Sequence, residues 1–250
     1  MPDDLWVEVE PPLSTKPEMP QGRRPRVSDW AALSGSIRVL CDGKQGKRLQ
    51  RSEVGCSGKT SWRRRLGAWQ VAGIWTALHR AMLEQLQDAA ALDWARAALD
   101  SANLPAKKGL SVGPELDRLW EQCLKSHLVV NARGMPLGLT FTGACCHDSR
   151  MLGATLDAAP CVRTGWRGRP RGTPNELRAD KGYDHLCRRR EGWTRGITPW
   201  IARRGIESSQ HFGGHRWSVE RTVAWLAPVR RLSIGYAQRA DIHLALPTLA

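Results

Sequence analysis

Three acidic residues stand where their type and spacing could do chemistry. Asp100 closes the apolar segment 95–99 (ARAAL), and Asp180 closes 176–179 (ELRA). Glu220 sits one helical turn after Arg216, on the same face of a helical segment. A buried strand ending in a carboxylate is unusual, because a charge taken out of water needs a partner. Carboxylates from separate elements can converge on divalent cations, which take hard oxygen ligands. Two such ions can activate an attacking oxygen and stabilise the leaving one in an in-line phosphoryl transfer. Helix caps and salt bridges are the competing use for any of the chain's 24 acids.

The elements that must position these groups can be read from periodicity. Segments 95–100, 125–130, 135–142, 176–180 and 197–202 read as strands, and the turn Asn131-Ala132-Arg133-Gly134 joins the second to the third. Helices are predicted over 29–40, with Ser28 or Asp29 as N-cap, and over 148–158, 183–191 and 215–227. Pro228 should end or kink the last of these. From Thr60 to Gln87, stripes at Trp62, Leu66 and Trp69 and at Trp75, Leu78, Met82 and Leu86 flank Gly73, which reads as helix–turn–helix. Residues 1–28, rich in proline and ending in a basic stretch, read as an arm or loop, and 41–59 as a polar loop. The resulting expectation is a helical region over 1–92, followed over 93–250 by an α/β domain with a mixed sheet.

Charge narrows the class of partner. The 250 residues carry 38 Lys+Arg against 24 Asp+Glu, a net +14, which favours a polyanion. No run of 18 apolar residues exists to cross a membrane. The acidic start MPDDLWVEVE does not read as a secretory leader, and seven cysteines without paired spacing do not suggest a disulfide scaffold. A cytoplasmic protein is expected.

Several other residues could carry function. The Trp62/Trp69/Trp75 stripe belongs to the core, while Arg63, Arg64 and Arg65 beside it should face outward and could follow a phosphate backbone. The string Arg167-Gly168-Arg169-Pro170-Arg171-Gly172 has the shape of a minor-groove hook, or of a plain basic loop. Arg203 and Arg204 read as a solvated face, and as phosphate contacts if the protein binds DNA. Cys145-Cys146-His147-Asp148 has poor tetrahedral geometry for a metal, and Asp148 reads as a helix N-cap.

The segment HRWSVERTVAWL (215–226) resembles the signature helix of the insertion-sequence-five family of bacterial DDE transposases, in which an Arg precedes the catalytic Glu by four residues. ADKGYD (179–184) is similar to that family's second-Asp motif, and LDSANLPAKKG (99–109) to its first. Further similar stretches are HLVVNARGMPLGLTFTG, HDSRML, IARRGIESS and RADIH, and in the N-terminal half GRRPRVSDWAALSG and GCSGKTSWRRRLGAWQVAGIW. The resemblance implies an RNase H-like fold and a catalytic triad of Asp100, Asp180 and Glu220. It also implies two Mg²⁺ (or Mn²⁺) ions held by that triad, and a role for Arg216 in orienting Glu220 or touching phosphate. By the same resemblance the partner is double-stranded DNA, both terminal inverted repeats and target, nicked and then joined by a dimer or larger assembly in the nucleoid. Lys107, Lys108 and Arg221 join the candidate DNA contacts.

Departures from the family pattern are Leu104-Pro105, the segment 116–127 and Ala227. They leave two other functions open: a catalytically weakened remnant that occupies element ends, and an RNase H-like nuclease.

Overall fold

The computed structural model describes residues 3–13, 26–43, 46–58, 60, 64–106, 113–114, 122–163, 169–206, 209–235 and 247. The chain begins with helices α1 (Asp3–Leu13), α2 (Asp29–Asp42), α3 (Arg51–Val54), α4 (Leu66–Val71) and α5 (Ile74–Asp88). Strands β1 (Arg96–Pro105), β2 (Gly113–Pro114), β3 (Gln122–Asn131) and β4 (Pro136–Gly143) follow. Then come α6 (Leu152–Asp157), β5 (Glu176–Ala179), α7 (Leu186–Thr194), β6 (Thr198–Ile201), α8 (Ser209–Leu226) and α9 (Arg230–Ser233).

The strands form one mixed sheet in the order β2-β3-β1-β5-β6, with β4 also on β3. β3 runs antiparallel to β1, β2 and β4, whereas β1, β5 and β6 are mutually parallel. This division follows from the connections. A tight turn can join only antiparallel strands, and the parallel ones need crossovers, supplied here by α6 and α7. At the β3–β4 turn Asn131 Oδ1 accepts from the amides of Arg133 (3.0 Å) and Met135 (2.8 Å), and Gly134 takes φ +84°.

Alternation along the strands gives the sheet two apolar faces. Ala97, Leu99, Val129, Leu137, Leu177 and Ile201 pack with Leu152 and Leu156 of α6. On the opposite face Ala98, Leu128 and Val130 meet Val219 of α8. A third cluster joins Leu33, Leu66, Trp69, Trp75 and Leu78 of the N-terminal helices to Leu232 of α9, with Leu226 and Val229 packed against it. α5 serves two clusters, since its Leu83 belongs to the α6 face of the sheet.

The predicted helix–turn–helix is α4, Ala72-Gly73 and α5, with Trp69 and Trp75 rings edge to face at 5.7 Å. Ser28 caps α2 by accepting from Ala31 N. α8 stops at Leu226, just before Pro228, as predicted. Residues 3–13 correct the expected arm. Trp6, Val9 and Leu13 recur at helical spacing, and the last two are buried, which outweighs the two prolines at the helix's end.

Candidate active site on the α8 face of the sheet

Asp100 lies in β1, and Asp180 follows directly on the neighbouring parallel strand β5. β1 and β5 pair Arg96 with Glu176, Ala97 with Leu177 and Ala98 with Arg178. Continued two residues further, past the end of β5, that register would bring Asp180 opposite Asp100. By alternation Asp100 follows Ala98 onto the face that α8 covers. Asp100 Oδ1 accepts from Ser101 N at 2.9 Å.

The loop after β5 is built to hold Asp180. The chain leaves the strand in a single 3₁₀ turn, Lys181–Tyr183, capped by Asp180 Oδ1 accepting from Gly182 N at 2.9 Å. A Cβ on Gly182 would stand 3.0 Å from that same oxygen, so an alanine there would displace the carboxylate by a few tenths of an ångström. Asp184 fastens the loop's other end: Oδ1 accepts from Arg189 Nη2 (2.7 Å) and Oδ2 from Arg204 N (2.9 Å). Those two hydrogen bonds, the backbone one first, hold the Asp184 carboxyl below the usual carboxylate range.

Tyr183 turns its side chain inward and is buried. Its ionisation is pushed far above the ordinary tyrosine range by burial first, and then by the charges of Asp148, Asp100 and Asp180. The phenol is therefore neutral and lies in the field of three carboxylates. Asp148 corrects the expected helix cap. The structure gives that cap to His147, which accepts from Ser149 N, and pairs Asp148 Oδ1 with Lys125 Nζ at 2.9 Å. Nothing in the local sequence around Asp148 signals this, because Lys125 comes from β3, a distant stretch of chain. Close by, His127 is fully buried with Nε2 2.8 Å from Thr142 Oγ1, and burial lowers its pKa to about 4.

Glu220 lies on α8 next to Val219 and is exposed. Ser218 and Thr222 are turned to the β3–β4 turn, where Thr222 Oγ1 donates to Gly134 O at 2.6 Å. At 3.6 residues per turn, Glu220 occupies the other flank of the helix. Among the described residues no three His, Cys, Asp or Glu side chains are close enough to share a metal ion. Asp100 thus lies within β1 and Asp180 directly after the neighbouring β5, while Glu220 is carried by α8, which packs against β1, β3 and β5. Arg216 lies in α8, but its side chain is outside the described residues.

The predicted basic residues divide. Arg64, Arg169, Arg203 and Arg204 are exposed. Arg204 also donates from Nε to Lys181 O at 3.0 Å, tying it to the Asp180 loop. Arg65 is a correction. It is 7% exposed, its Nη1 lies 2.7 Å from Asp29 and its Nη2 donates to Val27 O at 2.7 Å, so it holds α2 rather than facing solvent. Arg171 is likewise engaged internally, donating to Thr173 O and Asn175 Oδ1 and stacking 5.5 Å from the Trp94 ring centre. Arg221 lies over the rings of Trp217 (4.1 Å) and Trp225 (4.7 Å) and donates to Arg133 O. Arg63, Lys107, Lys108 and Arg167 fall outside the described residues.

A mixed sheet flanked by helices on both faces is the architecture the sequence resemblance implies. The chain belongs to the transposase DDE domain family, whose sequence pattern matches residues 96–250. It is 46% identical over 119 residues to the "Putative transposase for insertion sequence element IS402" of Burkholderia cepacia, a match covering 48% of this chain and 56% of that one. It is also 44% identical over 108 residues to the "Insertion element IS402 uncharacterized 16.2 kDa protein" of the same organism, covering 42% of this chain and 71% of the other. The match thus takes in little more than half the length of the first of these relatives. In three dimensions the chain is similar to piggyBac transposase in its synaptic complex with hairpin DNA. The TM-score is 0.50 at 8% identity, over 98% of this chain and 68% of that one, a likeness of RNase H-like fold. No helix among the described residues is long and apolar enough to cross a membrane.

Proposed function

We propose that this chain is a DNA transposase that nicks the terminal inverted repeats of an insertion element and joins the freed 3′ end to target DNA. The observation that supports the reading is that Asp100 lies in β1 and Asp180 directly after the adjacent parallel strand β5, in a chain of the transposase DDE domain family. Carboxylates carried by β1 and by the end of β5 are the hard oxygen donors that a divalent cation takes. Asp100, Asp180 and Glu220 would hold two Mg²⁺ or Mn²⁺ ions, which when bound supply the charge that stabilises in-line displacement at phosphorus.

The chain's own residues do the rest. The capped 3₁₀ turn fixes the Asp180 carboxylate, and the sheet fixes Asp100. α8 brings Glu220 across from the covering layer, with Arg216 one turn before it to orient that carboxylate or contact phosphate. Exposed Arg64, Arg169, Arg203 and Arg204 contact the DNA backbone, joined by Arg63, Lys107, Lys108 and Arg167. In this reading residues 1–92 recognise the element ends and 93–250 carry out the chemistry. Two copies pair two ends, and the protein works at the nucleoid in the cytoplasm.

The test is cleavage of duplexes carrying the element's own ends, with Mg²⁺, beside scrambled duplexes. End-specific nicking supports the reading. Binding of ends without nicking identifies a DNA-occupying remnant, and equal nicking of both duplexes identifies a nuclease.

A further inference from the structure

Beside the carboxylate pair, on the same face of the sheet, lies a small basic pocket of about 150 Å³, lined by Arg96, Ala98, Ala132, Arg178, Trp217 and Ser218 among others. Its floor is set by register. Arg178 pairs with Ala98, while its neighbours Leu177 and Ala179 point into the α6 face, so the Arg178 side chain comes up on the α8 side. Its ion pair is long, 3.7 Å to Glu176 Oε2, and its buried Nε has no hydrogen-bond partner among the described residues. Buried donors are normally matched, so the side chain of Arg178, which lines this cavity, is under-coordinated. Arg96 adds a second, exposed guanidinium at the mouth. The wall is Trp217, 53% exposed, whose other neighbour is the Arg221 guanidinium at 4.1 Å.

Two guanidinium groups and an exposed indole face suit a phosphodiester with its attached sugar. Arg is the side chain suited to such a contact, because its planar fork matches phosphate oxygens. Arg178 precedes Asp180 by two residues, a separation of roughly 7 Å along a strand. An anion held there lies next to the carboxylate pair. We propose that this pocket holds a backbone phosphate of the bound DNA strand adjoining the one cleaved, with Trp217 against its sugar. The proposal rests on the DNA function above and names a contact within it.

The test measures affinity of the full chain for a short duplex, without divalent metal, between about 50 and 200 mM KCl. Each phosphate that the protein ceases to neutralise makes the slope of log affinity against log salt shallower by about 0.9. Arg178→Gln and Arg96→Gln should each flatten the slope by about that amount and weaken binding several-fold at the lower salt. Arg178→Lys, which keeps the charge, should retain the slope. If Arg178→Gln melts early, Arg96→Gln carries the test alone, since its side chain is at the surface. An unchanged slope in these variants, with normal duplex binding by the unmodified chain, overturns the pocket and leaves the DNA function standing. Failure of the unmodified chain to bind any duplex defeats that function and the pocket with it. Stabilisation by inorganic phosphate that Arg178→Gln abolishes, together with an unchanged duplex slope, assigns the pocket to free phosphate and overturns the DNA assignment.

Discussion

Replacing Arg65 with Met distinguishes a structural arginine from a DNA-binding one. In the folded chain Arg65 and Asp29 side chains are 8% and 7% exposed and meet at 2.7 Å. The second guanidinium nitrogen donates to Val27 O, and the group lies 5.9 Å from the Trp69 ring centre. Removing one partner of a buried pair costs about 3–5 kcal/mol, because the other charge stays behind without compensation. Arg26, 3.3 Å from the same Asp29 oxygen, remains to offset part of this, so the lower end, about 3 kcal/mol, is expected. In a chain of this size that corresponds to a fall in melting temperature of roughly 6–12 °C. Calorimetry reads it directly, and duplex affinity measured well below the transition should be unchanged. Arg64→Met should do the opposite, leaving the melting temperature in place and weakening DNA binding. If Arg65→Met melted with the unmodified protein and lost affinity, the internal role assigned to this residue would be wrong.

Gly182→Ala should abolish most cleavage while barely moving the melting temperature, since its Cβ would press the Asp180 carboxylate at 3.0 Å; full activity in this variant would show that the cap does not fix that group. Gly134→Ala should destabilise the fold by about 1–3 kcal/mol, read from denaturant midpoints, because φ is +84° and the new Cβ would stand 2.8 Å from Arg221. Acid should also destabilise the protein through His127, whose pKa falls from 6.5 to about 4 on folding. The unfolded chain takes up that proton first, so this contribution is complete above pH 6.5 and is lost as pH falls toward 4, by up to roughly 3 kcal/mol. His127→Leu should flatten that part of the stability–pH curve, and an unaltered curve would assign the effect elsewhere.

Much of the sheet is legible in the sequence because its strands are short apolar runs bounded by turn chemistry. β3, the Asn131–Gly134 turn and β4 follow from a local pattern, and Asp180 does close its strand. β1, however, runs on past Asp100 to Pro105 because pairing with β3 continues there, which corrects the expected strand end at Asp100. α1 is hidden by composition: prolines mask the spacing of Trp6, Val9 and Leu13, and only packing against α2 and α5 shows that it is needed. The basic residues are hardest to sort. Arg63-Arg64-Arg65 is a uniform string, yet the helix turns Arg65 onto Asp29, a partner far earlier in the chain that no local rule supplies. Arg171 and Asp148 are illegible for the same reason, since Trp94 and Lys125 reach them through the fold. Glu220 is legible by motif, while its neighbour Arg221, stacked on tryptophans four residues to either side, shows a spacing that sequence could reveal.

Joint action of Asp100 and Asp180 on a metal-assisted phosphodiester reaction is tested most directly by comparing the unmodified chain with Asp180→Asn. Both are presented with duplexes bearing the element ends, in Mg²⁺, in Mn²⁺ and in chelator. The substitution keeps the side chain's shape and its capacity to cap Gly182 while removing a negative charge. The expected outcome is metal-dependent nicking by the unmodified chain, loss of nicking by orders of magnitude in Asp180→Asn, and end binding that survives or tightens. Equal nicking by the two proteins, or nicking that persists in chelator, would contradict the assignment of these two aspartates.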